Sequence, residues 1–382
     1  MPYTPPTVNY SATMDGTYTT LTGVQSVLIR RGRQRIADPF PQSSCVVELI
    51  PANSYALPLA IGQFIDVRPT NSSTSRAYFT GKITDVERVY DMPYDSGTGA
   101  APGDRIRITC TGGTGVLATN FGAFTWTAGD ATTPIFALQS ATNVRIQATA
   151  TTVNVSAQTV TGGALDVMNT LLNTRQDVID DSDKKRNVGS PARASEVYVY
   201  NTSQAELGYT DYTLTSSSSM YPMKQLEFLS SAQNTFSQVN VEAAGLATQT
   251  TNSGSPPYNT LNVDSYNANT ADALSLSAYL FRLNSAQLQA APAVVTTDTT
   301  IAPTCTDVLL LTIAGPTYGY IGAPTTVIFR GTTTTAVVQG VAGAFYLDYA
   351  TVTTYLSPSL GTPFTLDSTV FGILDTNRLG LP

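Results

Sequence analysis

The chain has 382 residues, which is long enough for two or three domains with sizeable hydrophobic cores. Apolar residues make up 42% of it, which excludes a disordered chain, and charged residues only 12%, about half the share of an average soluble domain. The net charge of −7 and the lack of a long Lys/Arg run exclude a protein that grips nucleic acid along a continuous basic track.

The N-terminal region begins with an extended arm. Residues 1–20 are rich in Pro and Thr, and such arms are ordered mainly by partners. Residues 24–30 predict a strand that leads into a basic turn at Arg30, Arg31 and Arg33. Two interpretations of these arginines stay open. A solvated turn is favoured because exposed charges usually contribute little to stability, and the alternative is a contact with a partner.

The next segments read as strands of a small barrel. Residues 45–50 and 104–110 alternate apolar and polar side chains, as strands with one buried face do. Residues 61–67 and the segment around Phe79 predict two more strands, and a turn-rich stretch at 91–103 predicts a long loop. About six strands without a helix over the first ~115 residues are typical of a barrel or sandwich, and we predict a β-barrel.

Several of these motifs carry a family resemblance. The segment FTGKI at 79–83, followed by an alternating strand and a glycine-rich exit into VLA at 116–118, resembles the first barrel of tail-hub proteins. These are the minor tail or baseplate-hub proteins of long-tailed bacteriophages. The segments IRRGR at 29–33 and GQFIDVRP at 62–69 fit the same pattern, and residues 353–380 resemble the ending of such proteins from phages of actinobacteria. The resemblance covers both ends of the chain and not its middle.

The middle of the chain mixes strands and a helix. Residues 143–155 alternate and predict a strand, and the apolar period then changes to that of a helix from 163 to about Thr174, with Thr161 as its N-cap. The charged segment at 180–186 predicts an exposed loop, and 196–200 predicts a further strand. The pattern indicates an α/β insert.

The last third returns to strands after one helix. Residues 270–290 predict this helix, with Thr270 as its cap and one apolar side formed by Leu274, Ala278, Phe281 and Leu288. Strands are then predicted at 308–313, 326–329, 337–346 and 352–356. The segment VQGV at 338–341 echoes FTGK at 79–82, and the resemblance implies two related barrels.

The predicted fold is therefore mainly β with an α/β insert, with two small β-barrels in a phage tail-hub-like arrangement. The predicted parts are an N-terminal arm (1–20), a first β-barrel (21–122), the α/β insert (123–235), a second β-barrel with a helix at 270–290 (236–360) and a C-terminal extension (361–382).

The residues needed for common enzyme chemistry are missing from this sequence. It has no histidine, which removes Ser-His-Asp and Cys-His nucleophiles and His-ligated metals, and its three cysteines lack zinc-site spacing. The glycine run at 112–115 lacks the phosphate-loop pattern, and 180–183 lacks the twelve-residue calcium loop. Asp85 and Glu87 are the nearest candidates for a glycosidase pair and read as solvated. We expect no enzyme, no cofactor and no metal.

The resemblance implies a structural role in a virion. It implies a homotrimeric hub at the tail tip that joins the tail tube to the tip or baseplate and lines the DNA channel. The implied partners are distal tail or tail-tube proteins, the tape-measure protein and receptor-binding tip proteins, with DNA only in transit. The candidate assembly contacts are Arg30, Arg31, Arg33, Phe79, Leu374, Arg378 and Leu379.

Two other classes of protein stay open. A carbohydrate- or receptor-binding tail or adhesin module suits the low charge and the 20 tyrosines, which permit stacking on sugars. A cell-wall hydrolase needs a cleft with paired carboxylates. The start of the sequence lacks a secretion signal, and no segment approaches ~18 apolar residues. We therefore expect synthesis in a host cytoplasm and a final location in the virion.

Overall fold

The computed structural model describes residues 3–13, 16–50, 58–68, 70, 77–90, 104–148, 151–181, 196–201, 219–228, 235–283, 293–302, 304–311, 321–322 and 324–358. Its helices are α1 (Gly113–Ala118), α2 (Thr133–Thr142), α3 (Ala164–Arg175) and α4 (Thr270–Leu283). Its strands are β1 (Thr7–Ser11), β2 (Thr19–Thr20), β3 (Val24–Gly32), β4 (Ser44–Leu49), β5 (Phe64–Arg68), β6 (Phe79–Val89), β7 (Arg105–Thr111), β8 (Phe121–Trp126), β9 (Gly129–Asp130), β10 (Arg145–Ala148), β11 (Asn154–Val155), β12 (Gln158–Gly163), β13 (Asp177–Asp180), β14 (Glu196–Asn201), β15 (Ser219–Glu227), β16 (Gln238–Ala243), β17 (Gln249–Asn252), β18 (Thr260–Ser265), β19 (Val294–Asp298), β20 (Val308–Leu311), β21 (Pro324–Phe329), β22 (Thr332–Tyr346) and β23 (Ala350–Pro358).

The first seven strands form one antiparallel set in the order β2-β1-β5-β6-β7-β4-β3. The alternation that predicted β4 and β7 sets their register, because Cys45, Val47 and Leu49 lie opposite Cys110, Ile108 and Ile106. All six of these side chains are buried in one hydrophobic core. Leu21, which follows β2, donates its backbone N–H to the carbonyl oxygen of Val8 in β1, and its side chain belongs to that core.

Six later strands close into a barrel. They pair in the ring β22-β21-β20-β15-β19-β23, and the additional pairing of β22 with β23 completes the closure. Each described strand of the ring pairs with a strand of the ring on both sides, which removes most of the open edge that an unclosed sheet would have. Buried side chains from this ring, including Val295, Leu309, Val338 and Val352, belong to the same core as those of the first set.

Strand β22 joins the two sets into a single 13-stranded sheet. One part of β22 pairs with β21, and its later part pairs antiparallel with β3, from Gly340 opposite Gly32 to Tyr346 opposite Ser26. The ring of Tyr78 stacks on Phe345 with centroids 5.1 Å apart, which adds a contact between β22 and the first set. The predicted fold class, mainly β with a barrel arrangement and an α/β insert, is confirmed.

The insert has its own core. Helices α1, α2 and α3 pack with strands β8 to β14 around buried Trp126, Ile135 and Met168. Helix α3 confirms the predicted helix, but Gly163 rather than Thr161 is the residue before its first turn, because Thr161 lies in β12. Helix α2 was not predicted. Trp126, the single tryptophan of the sequence, is buried in this core, as tryptophan side chains mostly are.

A small sheet, β17-β16-β18, packs against α4. The predicted apolar side of α4 is wrong, because Leu274 is 46% exposed while Ala273, Leu276 and Leu280 are buried against the sheet. The predicted cap is also wrong, since Asn269 rather than Thr270 accepts the backbone N–H of Asp272 at 2.8 Å. Leu288, predicted on the same side, lies outside the described residues.

Two segments belong to sheets that the sequence did not suggest. Strand β15 lies within the predicted insert but pairs in the closed barrel with β19 and β20. Strands β16 to β18 lie within the predicted second barrel but form their own sheet. Long-range strand pairing decides both cases. The domain limits themselves remain a prediction. Within the described parts of the chain, no helix is both long and apolar enough to cross a membrane.

An ion pair in the closed barrel predicts a specific response to acid. Lys224 contacts Asp298 at 2.8 Å, and Thr300 donates two further hydrogen bonds to that carboxylate. Burial alone would raise the pKa of Asp298, but the hydrogen bonds from Lys224 and Thr300 and the charge of Lys224 lower it to about 2. Because the pKa of the folded state lies below that of the unfolded state, this carboxylate stabilises the fold above pH ~4, and the contribution disappears as the pH falls toward ~2.

We expect Asp298→Asn to lose this dependence. The difference in unfolding free energy between wild type and variant should shrink by about 1 kcal/mol from pH 5 to pH 2, a modest value because solvent screens the exposed Lys224. Urea titrations at several pH values measure it. The control Asp85→Asn removes an exposed carboxylate of β6 and should leave the pH profile of wild type unchanged. A difference for Asp298→Asn that is constant with pH would contradict the assignment.

Candidate functional site at a buried polar joint

The first set of strands, the closed barrel and the insert meet at a cluster of residues that are mostly polar and mostly buried, which we call the joint. It contains Arg31, Arg33, Phe40 and Ser43 of the first set, Thr114, Asn169, Asp180 and Asp181 of the insert, and Gln339 and Ser357 of the closed barrel. Buried polar groups are stable only when they are hydrogen-bonded or paired. The joint therefore fixes the relative positions of three parts of the chain.

An ion pair links β3 to β13 in the joint. Arg31 Nη1 lies 3.2 Å from Asp180 Oδ1, and the two side chains are 5% and 0% exposed. Arg31 is buried because side chains alternate along a strand, and it shares its face of β3 with the core residues Val27 and Ile29. A buried guanidinium and carboxylate each cost free energy to desolvate, and their attraction offsets that cost only in this close arrangement.

A second contact links the first set to the closed barrel. Arg33 donates from Nε to Gln339 Oε1 at 2.9 Å, and Gln339 passes a hydrogen bond to Ser357 Oγ at 2.9 Å. The guanidinium also lies 4.3 Å from the centre of the Phe40 ring, a cation–π distance. Burial lowers the pKa of Arg33 to about 10, so it keeps its charge at neutral pH.

The third contact involves Asp181. Its Oδ2 accepts hydrogen bonds from Ser43 Oγ and from Thr114, whose Oγ1 lies at 2.8 Å and whose backbone N lies at 3.2 Å. Burial raises the pKa of Asp181, and the hydrogen bonds from Ser43 and Thr114 act in the opposite direction. Gly112 lies between β7 and α1, and Gly113, Thr114 and Gly115 form the first turn of α1, so the run at 112–115 is the start of a short helix.

The joint also contains a small cavity of about 20 Å³, lined by Arg33, Asp177, Tyr279 and Gln339 among others. The rest of the lining includes apolar side chains such as Leu276 and Leu280, and the volume is enough for about one water molecule next to the polar groups. Asp177 is bonded at 2.6 Å to Arg175, and burial raises the pKa of Asp177 to about 6. Among the described residues, no group of three or more His, Cys, Asp or Glu side chains is arranged to hold a metal ion.

The predicted assembly contacts fall into three groups. Arg30 is exposed on β3, whereas Arg31, Arg33 and Phe79 are buried within the chain. The solvated-turn interpretation is thus wrong for Arg31 and Arg33, because the joint supplies them with polar partners. Leu374, Arg378 and Leu379 lie outside the described residues. Whether any of the seven contacts a partner chain remains a prediction.

Two other sequence expectations bear on this site. The predicted exposed loop at 180–186 is wrong for Asp180 and Asp181, which are buried because each has partners in the joint, and the rest of that segment lies outside the described residues. Asp85 and Glu87 are exposed on β6, and Glu87 lies opposite Arg107 of β7. Both observations agree with the solvated interpretation of that pair.

Comparison with known proteins finds similarity in structure only. No protein-family model matches the sequence, and no curated protein matches it. The structure is similar to the 43 kDa tail protein of prophage MuSo2 from Shewanella oneidensis at 12% identity and a TM-score of 0.55, over 91% of this chain and 97% of that one. It is also similar to the tail protein from Neisseria meningitidis MC58 at 11% identity and a TM-score of 0.58, over 94% and 97%.

These neighbours define the class of fold: the chain has the fold of phage tail proteins, as the resemblance implied. The similarity extends over nearly the whole of each chain, so it includes the barrels and the insert together. The narrower likeness to proteins of actinobacterial phages remains a prediction.

Proposed function

We propose that this protein is a structural component of a phage tail tip, a hub in which three copies join the tail tube to the tip or baseplate. The observation that carries the proposal is the similarity in fold to tail proteins over more than nine-tenths of each chain. Its partners in this proposal are distal tail or tail-tube proteins, the tape-measure protein and receptor-binding tip proteins.

The geometry of the joint supports the proposal. The pairing of β3 with β22 and the hydrogen bond between Arg33 and Gln339 connect segments about three hundred residues apart in the chain. One chain thus presents two barrel-like units in a fixed orientation, and three chains present six. Such a ring would match a sixfold tube on one side and a threefold tip on the other, which requires rigid rather than flexible connections.

The echo between FTGK and VQGV also has a structural counterpart. A Cβ at Gly81 would lie 2.3 Å from the carbonyl oxygen of Thr111, and a Cβ at Gly340 would lie 2.4 Å from that of Arg33. Both glycines therefore sit where a neighbouring backbone occupies the space of a side chain. Each lies in the longest strand of its set, β6 or β22. This supports the idea that the two units are related.

The charge of the chain supports passage of DNA rather than its binding. A net charge of −7 disfavours contacts with phosphate, so a channel through the ring would let DNA slide. The test is to map charged side chains on the lumen of an assembled ring. A lumen lined by Lys and Arg would contradict this part of the proposal.

The first experiment is electron microscopy of the purified protein, averaged without imposed symmetry, together with mass photometry. We expect a threefold particle with a central opening and a mass of three chains. A hub that forms its trimer only on the tail would show single lobes when isolated. The same measurement is therefore repeated in the presence of the phage's tail-tube protein. A single compact lobe in both samples would contradict the hub.

A matched pair of variants tests the one exposed assembly candidate that the structure describes. Arg30 lies on β3, opposite Ser44 of β4 on one side and Ala342 of β22 on the other. It is exposed at the seam, which is our name for the pairing of β3 with β22 that joins the first set of strands to the closed barrel. We expect Arg30→Glu to raise the dissociation constant of the trimer at least about tenfold, because partner groups that attract a positive charge at this position would repel a negative one. The control Arg105→Glu reverses an exposed charge on β7 and should assemble as wild type. Equal assembly of both variants would remove Arg30 from the interface.

A further inference from the structure

A pocket opens between the insert and the small sheet packed on α4. Its volume is about 410 Å³, within the range of small-molecule sites. Its walls come from β12 and α3 on one side and from β16, β18 and the turn before β17 on the other. The pocket is separate from the joint and shares no lining residue with the cavity there.

The pocket combines hydrogen-bonding groups with an apolar wall. Glu242 and Asp264 lie directly opposite each other on the parallel strands β16 and β18, so their carboxylates face the same side of the sheet. Thr170 and Thr248 add hydroxyl groups. A ligand that fills this pocket must therefore donate to two carboxylates and also exchange hydrogen bonds with hydroxyls.

The apolar part of the lining is formed by small aliphatic groups and one tyrosine. Tyr266 packs edge-on against Trp126, with ring centroids 5.1 Å apart and an angle of 66° between the rings. Leu246 lies in the turn that forms the opposite wall. A fixed aromatic ring with an aliphatic neighbour suits the C–H face of a sugar ring, which is apolar while its edge carries hydroxyls.

A ladder of uncharged polar side chains continues from the pocket along the same face of the sheet. Asn240 bonds to Asn262 at 2.9 Å, to Thr250 at 2.9 Å and to Gln238 at 2.9 Å. These amides and hydroxyls are held in position on one face of the sheet, where they could contact further units of a chain-like ligand. The pocket and the ladder therefore lie on the same face of this sheet.

The lining also excludes some ligands. None of the lining residues that the structure describes is Lys or Arg, while two are carboxylates, so the pocket disfavours phosphate, uronic acids and other anions. A neutral, hydroxyl-rich ligand meets the arrangement best, because each carboxylate accepts hydrogen bonds from neighbouring hydroxyls without an ion pair.

We propose that this pocket, with the adjoining ladder, binds a neutral oligosaccharide. The two carboxylates orient the sugar hydroxyls, and Tyr266 receives the apolar face of a ring. The protein would then combine a structural place in the tail tip with recognition of a polysaccharide surface. This inference stands apart from the hub, since the pocket lies within a single chain.

The test uses the full-length protein and a panel of neutral tetrasaccharides: cellotetraose, maltotetraose, mannotetraose and N-acetylchitotetraose. Saturation-transfer NMR detects binding, and calorimetry measures its affinity. We expect at least one of the four to bind. Glu242→Gln and Asp264→Asn keep the size of each side chain, and each should weaken that binding at least about tenfold, because a charged hydrogen-bond acceptor is lost.

The control variant is Asp85→Asn, which removes an exposed carboxylate on the first barrel and should bind as wild type. Thermal unfolding checks that all three variants fold. Failure of all four tetrasaccharides to bind would overturn the proposal, as would binding that neither pocket variant changes. Binding only of tetragalacturonic acid, of a glucosamine tetramer or of calcium would assign the pocket to an ion instead. The outcome is independent of whether the protein forms a trimer.

Discussion

Replacing Gly340 by alanine is expected to destabilise the protein by about 3 kcal/mol, because the new methyl group has no space to occupy. Gly340 lies opposite Gly32 where β22 pairs with β3. A Cβ there would lie 2.4 Å from the carbonyl oxygen of Arg33 and 3.0 Å from that of Arg31. Both are backbone atoms, one within β3 and one just after its end, so they cannot rotate away as a side chain would. The loss should appear in urea unfolding and as a seam that opens earlier in hydrogen exchange.

The matched control for this substitution is Gly122→Ala in β8. A Cβ at Gly122 would meet nothing within 4 Å, and the strand gains a residue that is no worse there than glycine. The control should stay within about 0.5 kcal/mol of wild type. If Gly340→Ala cost as little as the control, the close approach of β3 and β22 would be wrong. The first set of strands and the closed barrel would then be less firmly joined than the proposed hub requires.

Local patterns in the sequence were sufficient to predict the single elements. Strands β4 and β7 follow from their alternation, and α3 follows from the change to a helical period after Gly163. Each of these elements follows from the spacing of apolar side chains within a single strand or helix, and that spacing can be read directly from the sequence.

The seam between the first set of strands and the closed barrel could not be predicted in the same way. It pairs β3 with β22, and its contact from Arg33 to Gln339 spans 306 positions in the chain. No local pattern specifies which edge strand a given strand will pair with. The same reason explains why β15 was placed in the insert. The buried side of α4, in contrast, follows the helical spacing of three and four residues at Ala273, Leu276 and Leu280, so the assignment to Leu274 missed a local signal.

The joint was missed although the sequence contained a signal for it. Arg31 has the same parity along β3 as Val27 and Ile29, so period two alone places it on the buried face, and Arg33 follows directly after the strand. The general expectation that arginines are solvated outweighed that period. Asp180 and Asp181 were read as a loop for the same reason. Opposite charges at buried positions in two segments could have suggested that the segments meet, but the sequence does not show which charges pair.

Replacing Arg31 by methionine is expected to have the largest effect, a loss of about 3–5 kcal/mol in unfolding free energy. The substitution keeps most of the apolar volume of the side chain but removes the guanidinium 3.2 Å from Asp180. Asp180 is fully buried next to Asp181, so two neighbouring carboxylates would then share a buried site without the positive charge of Arg31. The control Arg30→Met alters the exposed neighbouring arginine and should stay within about 0.5 kcal/mol of wild type.

A double variant separates the charge from the packing at this position. Arg31→Met combined with Asp180→Leu removes both charges, and we expect it to regain most of the stability lost by Arg31→Met alone, because apolar pairs often replace buried ion pairs without loss. If the double variant were as unstable as Arg31→Met alone, the stability of the joint would depend on the shape of the Arg31 side chain rather than on the balance of charge. If the hub proposal is right, the regained stability should restore the trimer as well. The joint would then act by holding the barrels in position, and any pair of residues that holds them would serve.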